Sequence, residues 1–272
     1  MGFEMLAVGQ FLWERPLPVD HNPFQPHRLK FFALLVVREG QLSHQVDVDH
    51  YQLQAGEALV IAPGQIHAFQ ETASAESFSG LLFIFTEVFL LKQMSPSAFA
   101  HIARLYNYHL RSPLYQLTSP NFSLLDALTR EFHQEDDEVK AGILAGICTS
   151  FLLQLTRNQA QQLPVSTADL LFDRFRELVV NQYATNREAS AYAEQLHVSY
   201  KHLNETCKAC VGQTAKRFID AYVMLESKRM LISTSLSVKE ISYACGFEEP
   251  TNFQKFFRKH AKMTPLAFRN KG

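Results

Sequence analysis

Three polar residues near position 250, namely Thr251, Asn252 and Lys255, lie within about one helical turn of each other. If this run is a helix, its opposite face carries Phe253 and Phe257, which suit a buried side. Asparagine can form two hydrogen bonds with adenine in the DNA major groove, and lysine can donate to guanine. These side chains therefore fit contact with base edges, provided that the run is a helix with an exposed polar face.

The surrounding stretch, VKEISYACGFEEPTNFQKFFRKH, contains two short runs of helical periodicity separated by Cys-Gly-Phe. The first run carries Ile241 at helical spacing and breaks at Gly246, and Pro250 suits the first turn of the second run. A helix, a short turn with an apolar anchor and a second helix form a helix-turn-helix, which places its second helix against the major groove. Lys259, further along that helix, suits a phosphate contact.

The same pattern occurs a second time, about 49 residues earlier, in AYAEQLHVSYKHLNETCKACVG. There Tyr192 and Leu196 precede a His-Val turn, Ser199 can cap the next helix, and Leu203 lies on its buried stripe. Between the copies, residues 214–234 contain neither Gly nor Pro, which predicts one long connecting helix. The sequence therefore predicts a duplicated helix-turn-helix unit.

Charge is divided unevenly along the 272-residue chain, which is long enough for two domains. Residues 1–168 hold 10 Lys and Arg against 16 Asp and Glu, whereas residues 169–272 hold 16 against 11. This division indicates that only the C-terminal part meets a polyanion. No stretch of 18 uncharged apolar residues and no signal sequence is evident, so we expect a cytoplasmic protein without a membrane segment.

The four cysteines are too few for a disulfide scaffold of this size. Cys207 and Cys210 form a C-x-x-C pair, which is a possible redox pair or half of a zinc site. No second Cys or His pair follows at ligand spacing, so we interpret Cys207 as a core residue.

The N-terminal half begins with apolar or alternating runs from His27 to about Phe85, cut by turn residues at regular intervals, which predicts a small antiparallel sandwich or barrel. Helical periodicity begins at about Ser95, and Ile147 and Phe151 share an apolar stripe of one helix. We predict that this helical pair forms a dimer surface; the alternative is that it covers the strand domain. A polar stretch at 157–169 predicts a linker.

Residues 169–272 resemble the DNA-binding domain of the AraC/XylS family of bacterial transcription regulators. The resemblance is carried mainly by STSLSVKEISYACGFEEPTNFQKFFRKHAKMTPLAFR, with its Gly246-Phe247, Thr264-Pro265 and Phe268-Arg269. It implies that both second helices face bases through the residues Lys201, Asn204, Glu205, Pro250, Thr251, Asn252 and Lys255.

Three residues depart from the family pattern. His197 and Lys262 stand where glycine is usual, at a position with positive φ in the case of His197. Glu205 stands where family members often have a basic residue. Its carboxylate can accept a hydrogen bond from a cytosine amino group or repel phosphate.

The N-terminal half resembles the cupin-type sensor of the same family through PHRLKFFALLVVREGQLSHQVD and LQAGEALVIAPGQIHAF. The resemblance implies a small effector in the barrel mouth, with His27, Phe31, His67 and Phe83 as candidate contacts. His27 and His67 stand where metal-binding cupins have ligands, but the first motif lacks its second His and its Glu, so we expect neither a metal nor another cofactor.

The resulting expectation is an α+β protein: a cupin-like β-barrel over residues 1–94, a helical dimerisation segment over 95–157, a linker over 158–168 and an all-α double helix-turn-helix domain over 169–272. We predict a non-enzymatic, sequence-specific transcription regulator that binds double-stranded DNA, forms a homodimer and responds to a small molecule. RNA polymerase is a further partner if the chain activates transcription.

Two alternatives stay open. In the first, the chain binds DNA and its N-terminal half is a docking surface for a protein partner. In the second, the chain is a metal-dependent cupin enzyme with a fused helical domain, which needs a third metal ligand besides His27 and His67, and the nearby histidines are His21, His44 and His50.

Overall fold

The computed structural model describes residues 3–8, 22–70, 78–91, 94–109, 112–157 and 166–271. The chain divides into two compact units, Met1–Gln162 and Leu163–Gly272. This boundary falls within the expected linker at 158–168, of which residues 158–165 lie outside the described residues. The first unit is rich in strands and the second is helical, which confirms the predicted α+β class.

The described strands of the first unit form one eight-stranded sheet, and each pair among them is antiparallel. Its path runs β1-β7-β3-β5-β8, with β4 and β6 also paired to β3, and β2 paired to β6. The strands are β1 (Phe3–Val8), β2 (His27–Arg28), β3 (Phe32–Val46), β4 (Asp49–Gln54), β5 (Glu57–Ile61), β6 (Ile66–Phe69), β7 (Phe78–Phe85) and β8 (Leu114–Gln116).

The long strand β3 lets one sheet enclose an interior. Its first part pairs with β5 and β7, and its second part, from Gln41 onward, pairs with β4 and β6. A register shift between Val37 and Glu39 separates the two parts, and Gly40 has a φ of 72°. Because a bulge bends a strand and increases its twist, β3 can turn a corner here. The second part of the sheet thereby folds over the first.

The central strands are buried on both faces. Leu35, Leu59 and Leu82 point into the space enclosed by the sheet, while Val36 and Phe83 point outward into a second core. Burial on both faces explains why FFALLVV, ALVIA and FSGLLFIF are continuous apolar runs rather than alternating ones.

In the described part of the first unit, four helices cover the outward face of this sheet: α1 (Glu87–Leu91), α2 (Pro96–Leu105), α3 (Ser119–Phe132) and α4 (Lys140–Arg157). Helices α3 and α4 pack against each other, and Phe151 of α4 is 1% exposed within the core. The prediction that Phe151 lies on a dimer surface is therefore wrong at this residue, because its ring is buried in the core that the helices share with the sheet. Val139, directly before this helix, and Ile143, in its first turn, remain 59% and 42% exposed.

The second unit contains seven helices in its described part, residues 166–271. They are α5 (Thr167–Gln182), α6 (Ala189–Gln195), α7 (Tyr200–Val211), α8 (Ala215–Ser233), α9 (Val238–Ala244), α10 (Pro250–Ala261) and α11 (Pro265–Arg269). Helices α6 and α7 form the first predicted helix-turn-helix, α9 and α10 form the second, and α8 is the connecting helix. Helix α8 contacts α5, α6, α7, α9 and α11, so it forms the centre of the unit.

Each helix-turn-helix has a residue of positive φ in its turn. His197 has a φ of 57° in the turn of the first helix-turn-helix, and Gly246 has a φ of 76° in the turn of the second helix-turn-helix. The turn of the second copy is one residue longer, because α7 begins three residues after His197 and α10 begins four after Gly246. The sequence-based expectation that His197 adopts a left-handed conformation is confirmed, and Lys262 does the same at the end of α10, with a φ of 59°.

Gly246 is required for a second reason, because the turn packs against the loop after α5. A Cβ added at Gly246 would overlap the backbone carbonyl of Ala184. A carbonyl of the main chain cannot rotate away as a side chain can, so the turn or the loop would have to move. At Gly212, by contrast, an added Cβ meets no described atom within 4 Å, although φ is 69°.

We predict that Gly246→Ala lowers the free energy of unfolding of the second unit by about 3 kcal/mol or more, because overpacking is added to backbone strain. Gly212→Ala is the matched control, since it adds only left-handed strain of about 1 kcal/mol. Urea denaturation of the full chain measures both variants. Equal losses of stability in the two variants would contradict the close approach of Gly246 to Ala184.

Candidate nucleic-acid interface and ligand site

Helix α10 exposes the polar face that its sequence predicts. Thr251, Asn252, Lys255 and Lys259 are exposed, and Pro250 is the first helical residue. The opposite face is held by Phe253 and Phe257, which are both fully buried. Because these two rings fix the rotation of the helix, the four exposed side chains point away from the body of the unit.

Helix α7 departs from the expected arrangement. Lys201 and Glu205 are exposed, and their charged groups lie 3.9 Å apart, so the lysine and the carboxylate partly neutralise each other. Asn204 is half-buried, and its Oδ1 accepts a hydrogen bond from the backbone N–H of Ala215 at 3.0 Å. The structure therefore places Lys201 and Glu205 together on the surface and directs the side-chain oxygen of Asn204 to the start of α8.

Arg187, which the sequence analysis missed, joins the two helix-turn-helix units. Its guanidinium carbon lies 3.6 Å from the ring centroid of Phe247, and its Nη2 donates to the carbonyl oxygen of Cys245. Its own carbonyl oxygen accepts from Nζ of Lys216 at 3.2 Å. Arg187 precedes α6, and Phe247 lies in the turn before α10. One side chain therefore connects the start of the first helix-turn-helix to the turn of the second helix-turn-helix.

Arg269, part of the family signature, has a structural role here. Its Nε donates to the carbonyl oxygen of Leu231 at 3.1 Å, and its Nη2 donates to that of Leu236 at 2.6 Å. These bonds satisfy carbonyl groups at the end of α8 and in the following loop. The arginine thereby fastens the last helix to the connecting helix.

Helix α8 also contains a buried ion pair between Arg229 and Glu226, which are 1% and 2% exposed, with Nη1 and Oε1 2.6 Å apart. Removing one partner of a buried pair leaves an uncompensated charge. Because both residues belong to α8, the two buried charges compensate each other within this helix.

The interior of the first unit contains a cluster of imidazoles. His44 on β3 and His67 on β6 are buried, and His44 Nε2 lies 3.2 Å from His67 Nδ1. His27 on β2 pairs with His67 across the strands, with ring centroids 4.4 Å apart. His44 is thus the third histidine of the cluster, whereas His50 is exposed and bonds Gln70, and His21 lies outside the described residues.

Two further candidate contacts lie elsewhere. Phe31 is 43% exposed just before β3, and Phe83 points to the helix side of the sheet, where it packs against Phe3. The structure therefore does not bring Phe83 together with the imidazoles. The continuous apolar run of β7 could not reveal this, because the side chains on both faces are apolar.

Burial controls the charge of the two inner imidazoles. Burial, reinforced by the neighbouring His27, lowers the pKa of His44 to about 3. Burial, with smaller contributions from His44 and His27, lowers the pKa of His67 well below its ordinary value. Each ring therefore carries a single N–H at neutral pH.

With one N–H each, the two rings can share only one hydrogen bond. His44 Nδ1 and His67 Nε2 have no partner among the described residues. Whichever ring donates across the 3.2 Å contact, one of these two atoms is a buried N–H donor and the other a buried lone pair.

The cysteines and a possible metal site are the other chemical features that the sequence raised. Within the described ranges, no group of three or more His, Cys, Asp or Glu side chains is arranged to hold a metal ion. Cys207 is buried as expected for a core residue, and burial, followed by the effect of Cys210, raises its pKa to about 12. All four cysteines are free thiols. Among the described helices, none combines the length and apolarity needed to cross a membrane.

Comparison with known proteins matches both units of the chain. A model described as a helix-turn-helix domain matches residues 192–271, and one described as an AraC-like ligand binding domain matches residues 20–80. Together the two matches cover just over half of the chain.

Full-length relatives are also found. The HTH-type transcriptional activator RhaS of Escherichia coli O1:K1 is 21% identical over 254 residues, covering 90% of this chain and 87% of RhaS. RhaS of Enterobacter sp. strain 638 is 20% identical over 255 residues, with the same coverage. A crystal structure of ToxT from Vibrio cholerae, at 1.65 Å resolution, has a TM-score of 0.49 at 10% identity, covering 99% of this chain and 98% of ToxT.

A strand domain of the ligand-binding type followed by a double helix-turn-helix defines a DNA-binding transcription regulator with a ligand-binding domain. The chain belongs to the AraC family of such regulators.

The imidazole cluster generates a prediction about pH. An unfolded histidine takes up a proton at about pH 6.5, whereas folded His44 stays neutral down to about pH 3. Between these values the unfolded state binds the additional proton, so stability is fully present above the unfolded pKa and is lost as the pH falls. The loss for this group is at most about 1.4 kcal/mol per pH unit.

Calorimetry of the full chain between pH 7.5 and 5 measures this slope in the transition of the first unit. His44→Leu should flatten the slope. Phe69→Leu is the control, because it removes a ring 4.6 Å from that of His44 and no titrating group, so it should lower stability without changing the slope. If the slope in His44→Leu equals that of the wild type, the loss of stability at low pH does not come from His44.

Proposed function

We propose that the chain regulates transcription by reading a specific DNA sequence with α7 and α10, under the control of a small molecule bound in the N-terminal barrel. The observation that carries the proposal is the duplicated helix-turn-helix, in which each second helix buries one face and leaves a polar face exposed. The relatives found are named as transcription activators, which supports a regulator acting in the cytoplasm rather than an enzyme.

The exposed face of α10 divides along its length into two kinds of contact. Asn252 and Lys255 lie near the N-terminal end, which enters the major groove in a helix-turn-helix. Lys259, in the last turn, lies further from the bases and suits a phosphate. Thr251 is exposed beside Asn252 and is a further candidate for base contact.

The imidazole cluster supports a polar effector. A buried donor and a buried acceptor without protein partners are costly unless a bound molecule or water satisfies them. Because one of each is present at His44 and His67, a group that both donates and accepts, such as a hydroxyl, can pair with whichever of the two atoms it reaches. We therefore propose that the effector carries such a group and contacts His27, His44 and His67.

The proposed homodimer forms through the exposed start of α4. Val139, Ile143 and Ile147 are spaced four residues apart and thus share one face, on which Val139 and Ile143 are exposed and Ile147 is half-buried. An apolar stripe of this kind suits association with a second copy of the same helix. If the regulator activates transcription, RNA polymerase is a further proposed partner.

Alanine substitutions on α10 test base reading against phosphate contact. Asn252→Ala or Lys255→Ala should weaken binding to the preferred operator by about 1 to 3 kcal/mol and leave binding to random DNA almost unchanged. Lys259→Ala should weaken binding to all sequences alike and lower the salt slope by about one unit.

These values come from titrations of matched and scrambled operators at two salt concentrations, with the operator obtained by selection from random DNA. If Asn252→Ala and Lys255→Ala both keep the wild-type ratio of specific to random affinity, the assignment of base contacts to α10 is wrong.

Ile143→Lys tests the dimer surface. Because Ile143 is exposed in the single chain, the variant should fold normally and sediment as a monomer. Val88→Lys, at a residue of α1 that is 63% exposed, is the matched control and should remain dimeric. A dimer of Ile143→Lys with unchanged stability would exclude this surface.

A further inference from the structure

The second helices of the two helix-turn-helix copies, α7 and α10, can be aligned residue by residue, and several features of the structure fix this alignment. Helices α7 and α10 are both twelve residues long, and each ends at a left-handed residue, Gly212 or Lys262. In each copy a threonine then caps the next helix: Thr214 Oγ1 accepts from Arg217 N–H, and Thr264 Oγ1 accepts from Ala267 N–H. A shift of 50 residues therefore aligns the two helices along their whole length.

The buried faces agree with this register. Leu203 and Cys207 of α7 correspond to Phe253 and Phe257 of α10, and all four are fully buried. Since the same positions face the core in both copies, the same positions must also face outward.

In this register the counterpart of Asn252 is His202. Each is the third residue of its helix, and each is exposed. Asn204, which the family resemblance assigns to base contact, instead corresponds to Gln254. The side-chain oxygen of Asn204 accepts a hydrogen bond from the backbone N–H of Ala215, so this side chain links α7 to α8.

The surroundings of His202 place its side chain on the outer surface of α7. Ser199 Oγ accepts from the backbone N–H of His202 at 3.1 Å, which fixes the first turn of the helix. Within the described part of the chain, the imidazole takes part in no hydrogen bond or ion pair. The neighbouring Lys201 and Glu205 form their own pair, and the ring nitrogens of the exposed His202 are available to DNA.

We propose that His202 is a specificity-determining residue that donates a hydrogen bond to guanine in the major groove. Guanine presents two acceptors there, N7 and O6, and an imidazole carries at least one N–H. The inference deepens the proposed function and rests on it, because it requires that α7 and α10 both face bases. It moves base reading on α7 from Asn204 to His202.

Base preferences of the full chain, obtained by selection from random DNA, test this assignment. His202→Ala should lower affinity for the preferred operator about ten-fold to a hundred-fold and erase the preference at one or two base pairs. His202→Asn should move the preference at the same position from guanine toward adenine, because asparagine pairs with adenine. Asn204→Ala should lower the melting temperature and leave the preferences intact.

Two variants serve as references. Asn252→Ala identifies the block of bases that α10 reads, so that the block read by α7 is known independently. His260→Ala removes an exposed histidine from the last turn of α10 and should leave the base preferences unchanged.

The outcomes separate the two levels of the proposal. If Asn252→Ala alters one block while His202→Ala and His202→Asn leave every base preference unchanged, the assignment of His202 is wrong and reading by α10 stands. If Asn204→Ala erases the preference that His202→Ala retains, the family assignment applies instead. If the wild-type chain selects no sequence at all, the proposed function itself fails, and the role of His202 fails with it.

Discussion

The second unit depends on one helix, because neither helix-turn-helix is large enough to fold by itself. Helices α6 and α9 have seven residues each, which is too short for an isolated helix to be stable in water. Both copies pack against α8, which contacts α6 and α7 of the first copy and α9 of the second, where Ser227 also contacts Cys245. Since α8 is buried on several faces, the two recognition helices cannot change their spacing without disrupting a common core.

Contacts beyond α8 add to this rigidity from outside. Arg187 connects the segment before α6 to the turn before α10, and Gly246 brings that same turn against the backbone of Ala184. Arg269 fastens the C-terminal helix to the end of α8. None of these residues needs to touch DNA, yet each constrains where a recognition helix lies. A double helix-turn-helix held in this way suits the reading of two adjacent segments of one duplex.

Much of this architecture was predictable from the sequence, because periodicity and turn chemistry are local signals. The two helix-turn-helix units and the connecting helix follow from short stretches of residues, and the left-handed turn at His197 follows from the family resemblance. The role of Arg187 did not, because its partner Cys245 is 58 residues away in the chain. The face of Phe83 was also hidden, since a strand that is buried on both sides carries no alternation. The hydrogen bond of Asn204 was not predictable either, because its partner Ala215 belongs to the next helix.

The central claim is that α7 and α10 bind one duplex together as a rigid pair. Hydroxyl-radical footprinting of the full chain on its selected operator measures this directly. The account predicts, for each bound DNA-binding unit, two protected patches on the same side of the helix, about one turn or roughly 10 base pairs apart. Both patches should disappear together when binding is titrated away. A single short patch for each unit, or two patches that titrate independently, would contradict the claim.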